Sequence, residues 1–204
     1  QKHAQKGRDI ILIGHKGHPE VIGTLGRHPP NSNTKIYLVE NNDDIKKLEI
    51  SSPEVAYVTQ TTLSVDETRE LINSLKEKFP GIIGPSADDI CYATQNRQDA
   101  VKQLSLECQI VLVIGSQTSS NSNRLKELAE KCGTKSFLID DKTDIDLNSL
   151  KDATSVGITA GASAPEEIVQ EVISFLVPLG FKTVRNLSEN NENMTFKLPK
   201  ELTS

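Results

Sequence analysis

Six short apolar runs constrain this chain more than any other feature: "DIILIG" (9–14), "KIYLVE" (35–40), "EVAYVT" (54–59), "QIVLVIG" (109–115), "KSFLID" (135–140) and "SVGITA" (155–160). Strands with one face in water alternate polar and apolar residues. Continuous apolar runs suit strands buried on both faces, as in parallel sheets covered by helices. Amphipathic stretches separate several of them, at 65–79, 94–107, 123–132 and 164–176. This alternation predicts an α/β fold built from parallel βαβ units.

Local signals place the helix ends. Ser64 with Glu67, and Ser163 with Glu166, have the spacing of capping boxes. Pro165 falls in a first turn, where its missing N–H costs nothing. Gly133 stands where a helix C-terminus favours a left-handed residue. "QKHAQKG" (1–7) reads as the last turns of a helix stopped by Gly7, with basic residues where the helix dipole favours them. Such a helix normally has a strand before it, so the expectation is a C-terminal portion of a longer protein. "KFPGIIGPSADD" (78–89) carries two prolines and two glycines and reads as a boundary. The predicted organisation is two similar βα modules with parallel sheets, residues 1–87 and 88–177, then a polar tail, 178–204. In that tail "MTFKLP" suits an extended strand docking elsewhere.

Composition narrows the function classes. The 204 residues carry a formal net charge of −5, so no general positive field collects nucleic-acid phosphates. No apolar run nears the roughly 20 residues that span a bilayer, and the opening residues lack the pattern of a secretory h-region. Three cysteines, at 91, 108 and 132, are odd in number and widely spaced. They do not resemble a disulfide framework, and a reducing, cytoplasm-like compartment fits them best.

In open parallel sheets, ligands bind beyond the carboxyl ends of the strands. Five loops take that place: 14–27, 59–68, 88–98, 115–124 and 157–167. All are rich in hydroxyls, amides or glycine, and most run into a helix N-terminus, where backbone N–H groups favour an anion. Each polar residue is also a plain capping candidate. A cap needs one side chain per helix, however, and "SQTSSNSN" (116–123) supplies six hydroxyl and amide side chains at Ser and Asn alone. That surplus points to anion binding.

Within "GHKGHPE" (14–20), two histidines three apart raise the possibility of metal. They lie in a glycine-rich loop with no third ligand nearby in sequence, and His18 and Glu20 around Pro19 better suit one donor and one acid at a pocket wall. His3 and His28 are expected in solvent. Cys91 is either a small buried hydrophobe or, beside a helix start, a ligand or nucleophile. Cys108 and Cys132 fall away from the rim and read as structural.

Together, "GHKGHPEVIGT", "TQTTLSVDET", "CYATQNRQ", "GSQTSSNSNRL", "GITAGASAPEE" and the closing "LPKEL" resemble, in order and spacing, the 4-hydroxy-3-methylbut-2-enyl diphosphate reductase family. The resemblance runs over essentially the whole chain. It implies one part of a three-domain, pseudo-symmetric α/β architecture around a 4Fe-4S cluster. It also implies reductive dehydroxylation of an allylic diphosphate to isopentenyl and dimethylallyl diphosphates in the last step of the non-mevalonate isoprenoid pathway. Electrons would come from reduced ferredoxin, flavodoxin or a similar protein, in a bacterial cytoplasm or a plastid-type stroma.

By motif matching, Cys91 is similar to the third cluster cysteine. Ser119, Ser120, Asn121 and Ser163 match residues that grip the diphosphate, and His18 matches a histidine lining the same pocket. Glu20 matches the proton-relaying acid, and Thr61 matches the hydroxyl beside it. The family's first domain, with one cluster cysteine and two further histidines, has no counterpart in these 204 residues, nor has the segment with the second cysteine. The resemblance therefore implies activity for the complete protein and little for this chain alone. A second reading is a non-catalytic α/β module that binds phosphorylated metabolites without iron. A dinucleotide site lacks support, because no G-x-G-x-x-G follows a strand.

Overall fold

The computed structural model describes residues 1–85 and 90–187. In chain order its elements are α1 (Lys2–Gln5), β1 (Asp9–Ile13), α2 (Pro19–Gly26), β2 (Ile36–Val39), α3 (Asn42–Lys47), β3 (Val55–Thr59), α4 (Val65–Lys78), α5 (Tyr92–Glu107), β4 (Ile110–Ile114), α6 (Ser120–Lys131), β5 (Lys135–Ile139), α7 (Leu147–Leu150), β6 (Val156–Ala160) and α8 (Glu166–Leu176). All six expected strands form. They make two parallel three-stranded sheets, ordered β2-β1-β3 and β5-β4-β6.

Burial on both faces explains the continuous apolar runs. In β4, Ile110, Leu112 and Ile114 join the core beneath α8, while Val111 and Val113 join a second core with Val101 of α5 and Leu125 of α6. In β1, Ile11 and Ile13 pack into the core of the first module, together with Leu75 of α4. Full burial of such a side chain contributes about 1.5–3 kcal/mol, so these two central strands anchor their sheets.

The two sheets repeat one another. β1 and β4 begin at Asp9 and Ile110, α2 and α6 at Pro19 and Ser120, and α4 and α8 at Val65 and Glu166, each pair 101 residues apart. In both sheets the first strand is central, and the chain leaves it to one side and returns on the other. The crevice beyond the C-terminal ends of β1 and β4 is therefore a topological switch point in each.

Helix ends follow the local signals in most places. Gly7, at φ 74, ends α1, and the N–H groups of Gly7 and Arg8 donate to the carbonyls of Ala4 and His3. Gly133, at φ 84, ends α6 in the same way, with Thr134 N–H donating to the Ala129 carbonyl. Ser64 caps α4 through Glu67 N–H. The capping box at Ser163 does not form. Pro165 is the N-cap of α8, with no side-chain cap, and stands before the first turn rather than in it. A proline keeps the preceding residue extended, which holds Ser163 away from the first helical N–H groups. Helices α2, α3 and α7 escape the sequence pattern because they are too short to display a period. His3 and His28, expected in solvent, are both half-buried. Burial, then the nearby Arg8, lowers the pKa of His3, and His28 Nε2 lies 3.2 Å from Thr34 Oγ1.

The boundary expected near residue 87 and the "MTFKLP" segment both lie outside the described residues. Ile83 still bridges in parallel to Ala56 of β3, and Ile90 is buried in the first module's core. Helix α5 packs on α6 and β6. Its Gln98, 1% exposed, reaches back to the first module. There Gln98 Nε2 donates to the Leu63 carbonyl at 2.8 Å, and its Oε1 accepts from Val65 N–H at 3.0 Å. The second bond satisfies a donor at the first turn of α4 that no intrahelical carbonyl can reach. Gln98→Met should leave both backbone groups buried and unpaired, at about 1–3 kcal/mol for each group. Chemical denaturation of the variant should show a loss of at least about 1 kcal/mol.

Candidate functional site

Both switch-point loops end in a capped helix, and the caps occupy equivalent positions. His18 caps α2 and Ser119 caps α6. His18 Nδ1 accepts Glu20 N–H at 3.2 Å, so a neutral ring carries its proton on Nε2 as a donor. Ser119 Oγ accepts from Ser122 N–H at 3.2 Å and from Ser122 Oγ at 3.0 Å. With both lone pairs filled, what Ser119 has left to offer is its own proton. Each cap thus serves its helix and still keeps a donor of its own.

The acid belongs to the first module. Glu20, in the first turn of α2, accepts Thr61 N–H at 3.1 and 3.2 Å and Thr61 Oγ1–H at 3.0 Å. Cys91 N–H donates to the Thr61 carbonyl at 3.2 Å, which sets the start of α5 beside the same residue. The Cys91 thiol is exposed at the N-cap of α5 and makes no capping bond. Thr61 therefore joins three of the five rim loops.

Thr62 and Gln60 join the modules. Thr62 Oγ1 lies 3.0 Å from Ser120 Oγ. Gln60, fully buried, accepts His15 N–H at 3.0 Å and donates to Thr62 Oγ1 at 3.0 Å and to Ser120 Oγ at 3.5 Å. Sequence reasoning did not single out Gln60 or Thr62. The available signal was a long polar side chain directly after a strand buried along most of its length.

Asn121 follows Ser120 and is 6% exposed. Among the described residues neither its amide nitrogen nor its amide oxygen meets a hydrogen-bond partner. A buried amide of this kind costs about 1–3 kcal/mol. Ser163 is exposed and enters none of these hydrogen bonds. It stands 101 residues after Thr62, at the equivalent point of the second module.

The two histidines of "GHKGHPE" have separate partners. His18 caps its helix, and His15 Nε2 meets Arg124 Nη2 at 3.1 Å. Among the described residues no group of three or more His, Cys, Asp and Glu could hold a metal ion. Cys108 precedes β4, at the end of the sheet opposite the rim. It lines a cavity of about 640 Å³ with Leu104, Val156 and Phe181, and burial raises its thiol pKa. Cys132, at the C-terminal end of α6, is exposed rather than packed.

Ser122 shapes the floor of the cradle and went unnoticed in the sequence. It is 1% exposed and lies directly beneath Gly115 and Gly161, so a Cβ at either glycine would collide with its hydroxyl. Gly161→Ala should lower the melting temperature by several degrees, the effect of about 1–3 kcal/mol of overpacking. Ser122→Ala in the same chain, which removes the colliding hydroxyl and keeps a helix-compatible side chain, should recover most of that loss, and calorimetry of the single and double variants checks it.

Comparison with known proteins supplies an independent view. A family model described as LytB protein matches residues 1–177. A curated relative from Saccharophagus degradans, named 4-hydroxy-3-methylbut-2-enyl diphosphate reductase, is 54% identical over 202 residues, covering 98% of this chain and 65% of that protein. One of the same name from Alcanivorax borkumensis is 52% identical over the same shares. The solved structure of the E-1-hydroxy-2-methyl-but-2-enyl-4-diphosphate reductase from Plasmodium falciparum is similar at a TM-score of 0.88 and 37% identity. That match covers 97% of this chain and 62% of that one. The chain thus spans about 65% of the length of the curated relatives it matches. Among the described residues no helix is long and apolar enough to cross a membrane.

Proposed function

This chain belongs to the LytB protein family, and on that footing we propose that it forms the diphosphate-holding and proton-relaying part of a reductase. The substrate is 4-hydroxy-3-methylbut-2-enyl diphosphate, the compound in its relatives' names. The products are isopentenyl and dimethylallyl diphosphates. The observation that carries the reading is the buried amide of Asn121, without a hydrogen-bond partner among the described residues, beside Ser119 and Ser120 in the first turn of α6.

In this reading, Ser119, Ser120, Asn121, Ser163 and His18 take the diphosphate. Their neutral donors, with the N-terminal dipoles of α2 and α6, replace water around the anion. Net, the substrate takes up two electrons and two protons, its allylic C–O bond breaks, and water leaves. Glu20 and Thr61 serve that last event. The Thr61 hydroxyl donates to Glu20 Oε2 as the pair stands; once Glu20 is protonated the bond reverses, the carboxyl donating to Thr61 Oγ1 while the hydroxyl passes its own proton to the departing oxygen. Positioned acid–base groups of this type contribute about 10²–10⁴-fold.

A 4Fe-4S cluster would supply the electrons and a Lewis-acidic iron for the alcohol oxygen. Such clusters take three or four protein ligands, and the residues present do not by themselves fit one. Cys91 would be one ligand among several, the others belonging, as the resemblance implies, to the family's first domain and to the segment that carries its second cysteine. Reduced ferredoxin, flavodoxin or a similar protein is the electron donor.

Asn121→Leu tests the cradle. Removing the unpartnered amide should leave the melting temperature unchanged or higher, while binding of inorganic pyrophosphate, followed by phosphorus NMR, should fall below detection. Pyrophosphate binding equal to wild type would remove Asn121 from the site. In the complete enzyme, Glu20→Gln should leave substrate binding nearly unchanged and slow turnover about 10²–10⁴-fold. Turnover within a few-fold of wild type would take Glu20 out of the proton path.

A further inference from the structure

The acid and the cradle sit on different modules, so their separation depends on how the modules are held. Arg124 lies one turn along α6 from Ser120, and its side chain is 14% exposed. Its guanidinium reaches three elements. Nη2 donates to His15 Nε2 at 3.1 Å, in the loop after β1. Nη1 meets Glu67 of α4 at 3.5 Å and Glu127 of α6 at 2.7 Å. We propose that Arg124 is a positioning residue, which through His15 and Glu67 sets the loop bearing His18 and Glu20 in register with the Ser119–Asn121 cradle. This inference rests on the functional reading of those two groups given above.

The geometry has a chemical consequence. Arginine has no acceptor, so His15 Nε2 must receive the bond, and the His15 proton resides on Nδ1. His15 N–H is in turn held by Gln60 Oε1, whose amide nitrogen reaches Thr62 and Ser120. Arg124 and Gln60 thus grip the same loop from both ends of His15, and both connect it to α6. Glu67 is charged for this task. The hydrogen bond from Lys131 foremost, then the Arg124 charge, holds its carboxyl below the ordinary range against the opposing effect of burial. A planar fork can serve His15 and the carboxylates together, whereas a lysine ammonium has no such geometry.

The test uses the 204-residue chain and three variants, Arg124→Met, Arg124→Lys and Glu127→Gln. Nitrogen-15 NMR of the imidazoles should find His15 as the Nδ1–H tautomer in the wild type and shifted toward Nε2–H in Arg124→Met. Amide exchange at residues 60–62 and 119–122 should speed up in Arg124→Met, and pyrophosphate affinity should fall about three- to tenfold, as expected for one lost hydrogen bond. Arg124→Lys should recover part of that affinity, and Glu127→Gln, which removes a pair internal to α6, should change neither tautomer nor affinity. An Nε2–H tautomer in the wild type, wild-type affinity in Arg124→Met, or a Glu127→Gln effect equal to that of Arg124→Met would each overturn the proposal. If wild-type chain takes up no pyrophosphate, the cradle reading fails, and the tautomer and exchange measurements still decide the clamp.

Discussion

The two central strands, β1 and β4, are buried on both faces, and the rest of the structure depends on where they stop. Each ends at a glycine, Gly14 or Gly115, at the point where the chain's path reverses direction across the sheet. Past Asp9 at the start of β1 both strands carry only apolar side chains, so the next polar groups appear together at their C-terminal ends. There the helix N-termini also converge. A polar rim is therefore a consequence of the sheet topology, before any particular chemistry is placed on it.

The 101-residue repeat then explains how one architecture carries two roles. His18 and Ser119 are equivalent caps, Glu20 and Asn121 equivalent first-turn residues, and Thr62 and Ser163 equivalent loop residues. One module puts a carboxylate where the other puts a neutral amide. The carboxylate is engaged by Thr61, while the amide meets no partner among the described residues. Equivalent backbone positions thus present an acid in one module and a neutral amide in the other, the difference on which the proposed division of proton handling from anion holding rests. The two modules are joined by buried polar contacts, those of Gln60 and Gln98 among them, whose loss leaves unpaired groups rather than simply weaker packing.

Much of this was legible in the sequence. Continuous apolar runs specified the strands because only burial on both faces tolerates them, and Gly7 and Gly133 specified helix ends because a left-handed residue was required there. The cluster of hydroxyls at 116–123 exceeded what capping needs, and the surplus is spent at the module contact and on the floor of the cradle. The Ser163 capping box failed because the motif cannot register the conformational restriction that Pro165 imposes on its neighbour. The histidine pair looked like one feature because spacing says nothing of direction.

The sequence by itself determined the fold class, the strand identities and the family, since these rest on local periodicity and on ordered motifs that survive without coordinates. Only the tertiary structure decided which rim residues meet. That Thr61 bonds Glu20, that Thr62 reaches Ser120 across the modules, and that the Asn121 amide is buried without a partner among the described residues all depend on contacts between distant segments. Such contacts are set by how two sheets pack, and no local pattern encodes the angle and offset at which they do so.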